Sequence, residues 1–401
     1  MKGNLLIGQS GGPTAVINNS LVGIIEEAMQ HDAIEGIYGM VHAIKGLLEE
    51  DLVDLRRESP RTLELLRSTP ASALGTARYK VTNEDYERIL DLLIKYNIRY
   101  FFYIGGNDSM DTTHKVAKLA ASRGYEMHAV GVPKTVDNDL AVTDHCPGFG
   151  SAARFVATAI RDTGYDTWAM GESSPIKLVE IMGRNAGWLT AATVLAKSEP
   201  DDPPHLIYVP ERGIKMEQVV NDVLSVYDRL GYCVVACSEG MQDPEGRPLG
   251  EGSGDVDAFG HVAKGGVVDA VEAAIREASD AKTRHDKPGY LQRSFAALQS
   301  PVDREEAYQV GRRAVRAAME GKTGVMVTLD RAEGPDYQIS YGLASLDRIA
   351  NVEHTLPDAY INDAGNGVTE AFVEYARPLI GDPLPPYAKL SMHPVPKKAN
   401  P

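Results

Sequence analysis

The sequence predicts an α/β protein in which parallel strands alternate with helices. Short apolar runs alternate with amphipathic stretches along the chain, which is the pattern of strands crossed by helices. Most of the apolar runs end in glycine, proline or a polar turn. The length of 401 residues is more than twice a typical domain of about 150 residues, so we expect two domains. The 43% of apolar residues is ordinary for a globular protein and excludes disordered and fibrous classes.

The predicted elements follow each other along the whole chain. The clearest unit is at 84–97, where apolar residues recur at helical spacing, and the apolar run at 98–104 then predicts a buried strand. A second helix is expected at 152–160. Further strands are predicted at 5–7, 127–132, 176–182, 205–209 and 232–237.

Acidic residues outnumber basic ones, with 56 Asp and Glu against 41 Lys and Arg, for a formal net charge of −15. Such a surface repels a nucleic-acid backbone and an anionic membrane, so neither is an expected partner. If the substrate is anionic, basic side chains must be gathered locally around it. The N-terminus lacks a signal-peptide pattern, and no apolar stretch reaches about 18 residues, so we expect a cytoplasmic protein.

Cysteines and histidines give no metal-binding pattern. The three cysteines are Cys146, Cys233 and Cys237, an odd number without ligand spacing, and we expect them to be reduced thiols in the core. His145 has no other histidine at ligand spacing, which predicts a surface histidine.

In open α/β sheets, ligands bind outside the carboxyl ends of the strands, so we expect the functional residues in the turns there. The first strand ends in the turn Gly8-Gln9-Ser10-Gly11-Gly12-Pro13-Thr14, before a helical pattern. Glycines let backbone N–H groups approach an anion, and the helix start adds a favourable dipole. The turn matches neither the P-loop nor the dinucleotide fingerprint. Tight packing alone is an equally good explanation of it.

The strand at 98–104 is followed by the turn Gly105-Gly106-Asn107-Asp108-Ser109-Met110. This turn places amide and carboxylate side chains at a helix start, where they could contact a metal or an anion. The alternative is a simple N-cap, which Asn, Asp and Ser all favour for structural reasons. From the residues alone, a ligand-binding turn and a structural N-cap are equally good interpretations.

The next strand is followed by Val132-Pro133-Lys134-Thr135-Val136-Asp137-Asn138-Asp139, which places one lysine and two carboxylates in a short span. Two like charges so close raise each other's pKa unless a cation or hydrogen bonds intervene, which suits a general base. A functional turn is the favoured interpretation here. Together the three turns provide what phosphoryl transfer needs: positioned oxyanions, a metal and a base.

At these residues the sequence resembles the phosphofructokinase family, which has a GG turn, a GGDGS-like turn and a P-x-T-I/V-D-N-D turn. The match continues in order through four further strings between residues 4 and about 300. These are Gly75-Thr76-Ala77-Arg78, Met182-Gly183-Arg184, Ser238-Glu239-Gly240 and Tyr290-Leu291-Gln292-Arg293. The resemblance implies transfer of a phosphoryl group to the 1-hydroxyl of fructose 6-phosphate.

The resemblance also implies roles for individual residues. Asp137 is similar to the general base that accepts the proton of the sugar hydroxyl. The implied phosphoryl-donor ligands are Gly11, Gly12, Arg78 and Lys134. The implied sugar-phosphate ligands are Thr135, Val136, Asp137, Met182, Gly183, Arg184, Glu239, Arg284, Tyr290, Leu291, Gln292 and Arg293. Arg284 matches an arginine that reaches the 6-phosphate of a neighbouring subunit, so a homodimer is expected, with a homotetramer as the alternative.

Two positions predict the donor. In ATP-using relatives the positions of Asp108 and Lys134 are usually glycine. A carboxylate at Asp108 would crowd and repel an α-phosphate, while the ammonium of Lys134 could hold a terminal oxygen of pyrophosphate. The pair resembles the pattern of pyrophosphate-dependent members, so we expect pyrophosphate as the donor, with catalytic contributions from both residues.

Mg²⁺ is the implied cofactor, with Asn107, Asp108 and Asp139 as candidate ligands. Asn107 stands where relatives have the Mg²⁺-associated aspartate, and an amide is a weaker ligand for a hard cation. One alternative is therefore a non-catalytic sensor of the sugar phosphate. Another is an ATP-dependent or mixed-donor enzyme, with sedoheptulose 7-phosphate as a further acceptor.

The resemblance implies two similar Rossmann-like three-layer α/β domains with the active site in the cleft between them. We expect residues 1–149, with roughly 288–350, to form the phosphoryl-donor domain. Residues 150–287, with roughly 351–401, are expected to form the sugar-phosphate domain.

Overall fold

The computed structural model describes residues 1–250, 266–334, 336–350 and 352–398. Its strands form two separate sheets, and the α/β architecture predicted from the sequence is confirmed. The strands are Gly3–Gln9 (β1), Ile34–Met40 (β2), Leu52–Asp54 (β3), Ile98–Gly105 (β4), His128–Pro133 (β5), Ile176–Ile181 (β6), Leu206–Tyr208 (β7), Cys233–Ser238 (β8), Thr283–Asp286 (β9), Val325–Arg331 (β10) and Ile339–Ser345 (β11).

Helices surround both sheets. They are Ile17–Ala28 (α1), Ala43–Leu48 (α2), Pro60–Leu66 (α3), Asn83–Lys95 (α4), Asn107–Ser122 (α5), Phe149–Met170 (α6), Trp188–Ala191 (α7), Met216–Leu230 (α8), Val267–Ala278 (α9), Leu291–Ser294 (α10), Pro301–Met319 (α11) and Glu370–Ala376 (α12). The predicted helix at 152–160 is longer than expected at both ends, because α6 extends from Phe149 to Met170. Within the described residues, no helix is long and apolar enough to cross a membrane.

The first sheet has seven strands in the order β11-β10-β5-β4-β1-β2-β3. Its five central strands are parallel, and β3 and β11 pair antiparallel at the two edges. Leu5 and Ile7 of β1 pack into the core on one face, whereas Leu6 packs into the core on the other. This burial on both faces explains why β1 is a continuous apolar run in the sequence.

The second sheet has four parallel strands in the order β7-β8-β6-β9. Ile176 and Leu178 of β6 pack on one face, and Val179 and Ile181 pack on the other. The first sheet uses strands from 3–133 and 325–345, and the second uses strands from 176–286. The exact domain ranges given above stay a prediction.

Helix α11 lies close against α1. A Cβ added at Gly23 would lie 2.1 Å from the carbonyl oxygen of Tyr308, and one at Gly311 would lie 2.2 Å from that of Ser20. The glycines therefore allow the two backbones to approach closely. This contact fixes α11 beside the first sheet, from where it reaches the segment that follows β5.

Candidate active site

Three turns meet at the carboxyl edge of the first sheet because β1, β4 and β5 are neighbours in it. The N–H of Ser10, after β1, donates to the carbonyl of Ile104 at 2.8 Å. The N–H of Lys134, after β5, donates to the carbonyl of Gly105 at 3.1 Å. The three turns that the sequence singled out are thus held to each other by backbone hydrogen bonds.

The glycine turn after β1 lies against two cationic side chains. The Nζ atom of Lys134 donates to the carbonyl oxygen of Gly12 at 2.9 Å, and a Cβ added at Gly11 would lie 3.1 Å from the same Nζ. A Cβ added at Gly12 would lie 2.5 Å from Nη1 of Arg293. The hydroxyl of Thr76 donates to the carbonyl of Gly11 at 2.9 Å. The glycines thus leave room for cationic groups, which indicates more than tight packing.

Helix α5 begins differently from the N-cap alternative. Its N-cap residue is Gly106, with no side chain, and Asn107 is already the first helical residue. In the orientation that satisfies its partners, the Asn107 amide nitrogen donates to the carbonyls of Ile349 at 3.1 Å and Val352 at 3.2 Å. Asp108 is exposed in the first turn of the helix. Its carboxylate is therefore open to a ligand, whereas Asn107 ties the helix start to Ile349 and Val352.

Lys134 and Asp137 have strongly shifted pKa values. Lys134 is only 4% exposed, and burial lowers its pKa to about 8 although Asp137 and Asp139 partly oppose this. Desolvation raises the pKa of Asp137 to about 7, and the negative charges of Asp139 and Glu239 add to the increase. Lys134 and Arg293 oppose it. A carboxylate with a pKa near neutrality can both accept and return a proton at physiological pH.

Asp139 provides an unsatisfied oxygen. Burial raises the pKa of its carboxyl, while a hydrogen bond with the Thr135 hydroxyl lowers it. The other oxygen, Oδ1, is buried and has no hydrogen-bond partner. The same Thr135 hydroxyl accepts the N–H of Asp137 at 3.0 Å. Thr135 therefore holds both aspartates in one turn, and Asp139 retains a free acceptor atom.

Asn138, between the two aspartates, was not singled out by sequence reasoning. Its φ of 57° is left-handed. Its Nδ2 donates to the hydroxyl of Tyr375 at 2.9 Å, and its Oδ1 accepts the N–H of Cys146 at 2.8 Å. Asparagine tolerates the left-handed region better than most residues, which was the available signal. Val136 is buried in the core and cannot contribute more than its backbone to a ligand.

Two turns at the carboxyl edge of the second sheet lie across a cleft from the turns of the first sheet, with Glu239 close enough to Asp137 for its charge to raise the Asp137 pKa. The N–H of Gly183, after β6, donates to Oε1 of Glu239, after β8, at 3.3 Å. Arg184 Nε lies 3.9 Å from the same oxygen, and the Arg184 side chain is 35% exposed. Ser238 supports the arrangement by donating to the carbonyl of Gly183 at 2.9 Å. The parallel strands bring Arg184 and Glu239 together although they are far apart in sequence.

Residues 290–293 connect the two sides. Gln292 is buried and accepts the N–H of Met182 through Oε1 at 3.1 Å. Tyr290 is 61% exposed, and the Arg293 guanidinium stacks 4.0 Å from the centre of its ring. Burial lowers the pKa of Arg293, with the nearby charge of Arg78 contributing. Leu291 is exposed. Arg293 thus extends from the second-sheet side to Gly12 and Asp137.

Arg284 lies apart on the edge strand β9, where it is in register with Lys177 of β6 and its side chain is exposed.

Sequence reasoning was wrong about His145, which is 2% exposed. Its two ring nitrogens contact the carboxylates of Asp144 and Glu306. The pairing is invisible in the sequence because Glu306 lies 161 positions away. The three cysteines are buried and free, as expected.

Comparisons with known proteins agree with this arrangement. The phosphofructokinase family model matches residues 4–318. A pyrophosphate–fructose 6-phosphate 1-phosphotransferase of Rhodospirillum rubrum is 42% identical, with 100% of this chain and 99% of that protein aligned. One of Xanthomonas campestris is 40% identical over 99% of this chain and 98% of that protein.

A crystal structure of a pyrophosphate-dependent phosphofructokinase from Marinobacter aquaeolei has a TM-score of 0.87 and 39% identity. The match covers 99% of this chain and 98% of that one. A Nitrosospira multiformis structure of the same description has a TM-score of 0.86 and 38% identity, with the same coverage. This chain belongs to the phosphofructokinase family.

Proposed function

We propose that the chain reversibly transfers a phosphoryl group from pyrophosphate to the 1-hydroxyl of fructose 6-phosphate, giving fructose 1,6-bisphosphate and phosphate. The observation that carries this proposal is the buried ammonium of Lys134, which lies 2.9 Å from the carbonyl oxygen of Gly12 in the glycine turn. A cation fixed there is a ready partner for a pyrophosphate oxygen. The relatives from Rhodospirillum rubrum and Xanthomonas campestris are named for this reaction.

Donor selection follows from charge at two positions. The exposed carboxylate of Asp108 begins α5, directly beside the turn that contains Lys134. It would repel a third phosphate and the nucleoside beyond it, while Lys134 favours the terminal oxygens of a small donor. Gly11, Gly12 and Arg78 would complete the pyrophosphate site, because Arg78 is close enough to Arg293 to influence its pKa.

Asp137 is the proposed general base. It would take the proton of the 1-hydroxyl as that oxygen attacks phosphorus and the bridging P–O bond of pyrophosphate breaks. In the reverse direction the protonated carboxyl would return the proton to the sugar oxygen. Its pKa of about 7 populates both forms, which suits a reaction that runs both ways. Arg293, next to Asp137 and Gly12, would stabilise charge on the transferring group.

The acceptor would lie along the second-sheet side of the cleft. Glu239 would accept hydrogen bonds from sugar hydroxyls, and Met182, Gly183 and Arg184 would frame the sugar. The remaining proposed contacts of the sugar phosphate are Thr135, the backbone of Val136, Tyr290, Leu291, Gln292 and Arg293. The exposed Tyr290 would donate a hydrogen bond to the 6-phosphate.

Phosphofructokinases use a divalent metal, and we propose Mg²⁺ here. The described residues contain no cluster of three or more His, Cys, Asp or Glu that could hold a metal by themselves. Mg²⁺ is commonly bound by one or two carboxylates together with substrate phosphates, and the exposed Asp108 and the unpartnered Oδ1 of Asp139 fit that pattern. Asn107 would contribute only its amide oxygen, because its nitrogen is engaged by backbone carbonyls. Bound Mg²⁺ would neutralise charge on the phosphates.

The donor is tested by initial rates with fructose 6-phosphate and Mg²⁺, comparing pyrophosphate with ATP. We expect the wild type to prefer pyrophosphate. In Asp108→Gly/Lys134→Gly, the ratio of the rate with pyrophosphate to the rate with ATP should fall about 10- to 100-fold, which is the range for loss of a charged hydrogen bond. The matched control is Asp111→Ala/Lys115→Ala, an acid–lysine pair 2.6 Å apart on the same helix. This control should leave the donor ratio unchanged.

Two alternatives have distinct outcomes in the same assay. Equal or higher wild-type activity with ATP would indicate an ATP-dependent or mixed-donor enzyme. Inactivity with both donors, with binding of the sugar phosphate retained, would indicate the non-catalytic sensor that the amide at Asn107 suggests.

We also propose a homodimer in which Arg284 reaches the neighbouring site, because it is exposed on an edge strand. Mixing unfolded Asp137→Asn and Arg284→Ala chains and refolding them together should restore activity to about one site in four, because one site of each heterodimer has both side chains intact. No recovery would refute a shared site. The measured mass in solution would distinguish a dimer from a tetramer.

A further inference from the structure

A buried charged network lies behind the turn that contains Asp137. His145 follows this turn by eight residues and is fully enclosed. Its Nδ1 lies 2.7 Å from Oδ1 of Asp144, and its Nε2 lies 2.8 Å from Oε2 of Glu306 on α11. Because both partners are carboxylates, both ring nitrogens act as donors and the ring is an imidazolium.

Each carboxylate is held by a further partner. Arg331 of β10 contacts Asp144 with Nη2 at 2.9 Å and donates through Nη1 to the carbonyl of Tyr375 at 2.9 Å. The hydroxyl of Tyr337 donates to Glu306. The imidazolium therefore connects three parts of the chain, namely the segment after β5, helix α11 and the β10–β11 hairpin. Burial disfavours its charge, but the two carboxylates outweigh that effect and raise the pKa of His145 to about 9.

The segment that carries His145 is hydrogen-bonded directly to the catalytic turn. The N–H of Cys146, the next residue, donates to Oδ1 of Asn138 at 2.8 Å. The carbonyl of Pro147 accepts the N–H of Thr135 at 3.3 Å. Thr135 lies two residues before Asp137 and Asn138 directly follows it, so a displacement at 145–147 is transmitted to Asp137 through these two hydrogen bonds.

We propose that His145 is a positioning residue for phosphoryl transfer: its imidazolium, clamped between Asp144 and Glu306, fixes the segment that orients Asp137 and Asp139. This inference rests on the function proposed above. A buried ion pair is often no more stabilising than apolar packing, so the network is better explained by orientation than by stability. A small misplacement of a catalytic group lowers the rate of the chemical step far more than substrate binding.

The test compares kcat, the KM of each substrate and thermal unfolding for the wild type and His145→Gln, using the full chain. At pH 7 we expect kcat to fall by about 10- to 100-fold, while both KM values stay within about threefold. The matched control is His205→Gln, directly before β7, where the histidine Nδ1 accepts the N–H of Val234 of β8 at 2.8 Å. This control should lower thermal stability without changing kcat.

The pH profile separates positioning from simple destabilisation. The wild-type ring loses its proton as pH rises through about 9, so the ratio of wild-type to His145→Gln kcat should shrink from its value at pH 7 towards one by about pH 10. Lys134 is present in both proteins, so its titration does not affect this ratio. The ionisable groups around the ring are Asp144, Glu306, Arg331, Tyr337 and Tyr375, with Asp303 and His354 farther away.

If His145→Gln does not fold, Glu306→Gln gives a second test, because it keeps the shape and removes one carboxylate. The ratio of wild-type to Glu306→Gln kcat, in which the titration of Lys134 cancels, should then be larger between pH of about 8 and 9 than at pH 7, because the variant ring loses its proton at lower pH. The positioning role would be overturned if the ratio of wild-type to His145→Gln kcat is constant with pH, or if His145→Gln changes only KM. An equal loss of kcat in His205→Gln would overturn it too. A wild type that is inactive with pyrophosphate would instead refute the proposed function, so the two failures are distinguishable.

Discussion

The two sides of the cleft differ in how far they are organised within one chain. On the donor side, formed by the turns after β1, β4 and β5, Lys134 is 4% exposed and is hydrogen-bonded to the glycine turn. On the acceptor side, formed by 182–184, Glu239 and 290–293, the Arg184 side chain is 35% exposed and Tyr290 is 61% exposed. Arg284 lies farther out, on an edge strand.

This difference indicates how the chemistry is divided between the two sides. Charged groups that are buried before substrate arrives have shifted pKa values and fixed geometry, which suits donor selection and proton transfer. Exposed groups gain order only when the sugar phosphate or a second subunit covers them. We therefore expect substitution of the buried charge of Asp137 to lower kcat, and substitutions of acceptor-side side chains to raise the KM of the sugar phosphate.

The largest expected effect is at the base. Asp137→Asn should lower kcat by about 10³-fold, within the range for loss of general-base catalysis, while binding of fructose 6-phosphate persists. The same chemical change on the acceptor side, Glu239→Gln, should raise the KM of fructose 6-phosphate by about tenfold with kcat nearly unchanged, because a sugar hydrogen bond is weakened. Steady-state kinetics and calorimetric binding measure both. Similar kcat losses in the two variants would contradict the division.

The pH dependence should report the buried donor-side groups. Asp137 must lose its proton to act as a base. The value of kcat/KM for pyrophosphate should therefore fall about tenfold for each pH unit below about 7. Lys134 must stay protonated to hold an anion, so the same parameter should fall above pH of about 8. Initial rates between pH 5.5 and 9.5, at constant free Mg²⁺, test this. A kcat/KM that stays constant down to pH 5.5, as an aspartate with the ordinary pKa of about 4 would give, would contradict the desolvated site.

The smallest expected effects come from two adjacent glycines of the glycine turn, at which an added methyl group would meet different cations, Lys134 at Gly11 and Arg293 at Gly12. A methyl group at Gly12 would displace the Arg293 guanidinium, so Gly12→Ala should raise the KM of fructose 6-phosphate by a few-fold to about tenfold. At Gly11 the φ of 74° and the nearby Lys134 Nζ make Gly11→Ala both strained and harmful to pyrophosphate binding. We expect a higher pyrophosphate KM and a lower Tm.

Kinetics on the matched pair would sharpen the comparison. If Gly12→Ala and Gly11→Ala raise the KM of the same substrate, the glycine turn contributes to the binding of that substrate only. An unchanged Tm in Gly11→Ala would contradict the strain expected for a left-handed alanine.

Much of the fold was predictable because buried parallel strands are apolar runs in the sequence. The runs at 98–104 and 176–182 became β4 and β6 almost unchanged. The three turns of the donor side were also predictable, because glycine, lysine and aspartate beside strand ends have few structural uses in such density. Sequence reasoning missed the full extent of α6 and the burial of His145, because both depend on contacts with distant parts of the chain. Helix α6 packs against α11 and the C-terminal residues, and His145 contacts Glu306 of α11.

The sequence by itself determined the α/β class, the family and six of the eleven strands in the described part of the chain, since each is written in local pattern and spacing. Only the tertiary structure decided the contacts and the burial of the proposed site residues. It placed Arg293 against Gly12, gave Asp139 an oxygen without a partner and enclosed His145 between two carboxylates. Charge and proton affinity depend on desolvation and on neighbours that are distant in the chain, and only folding brings those neighbours together.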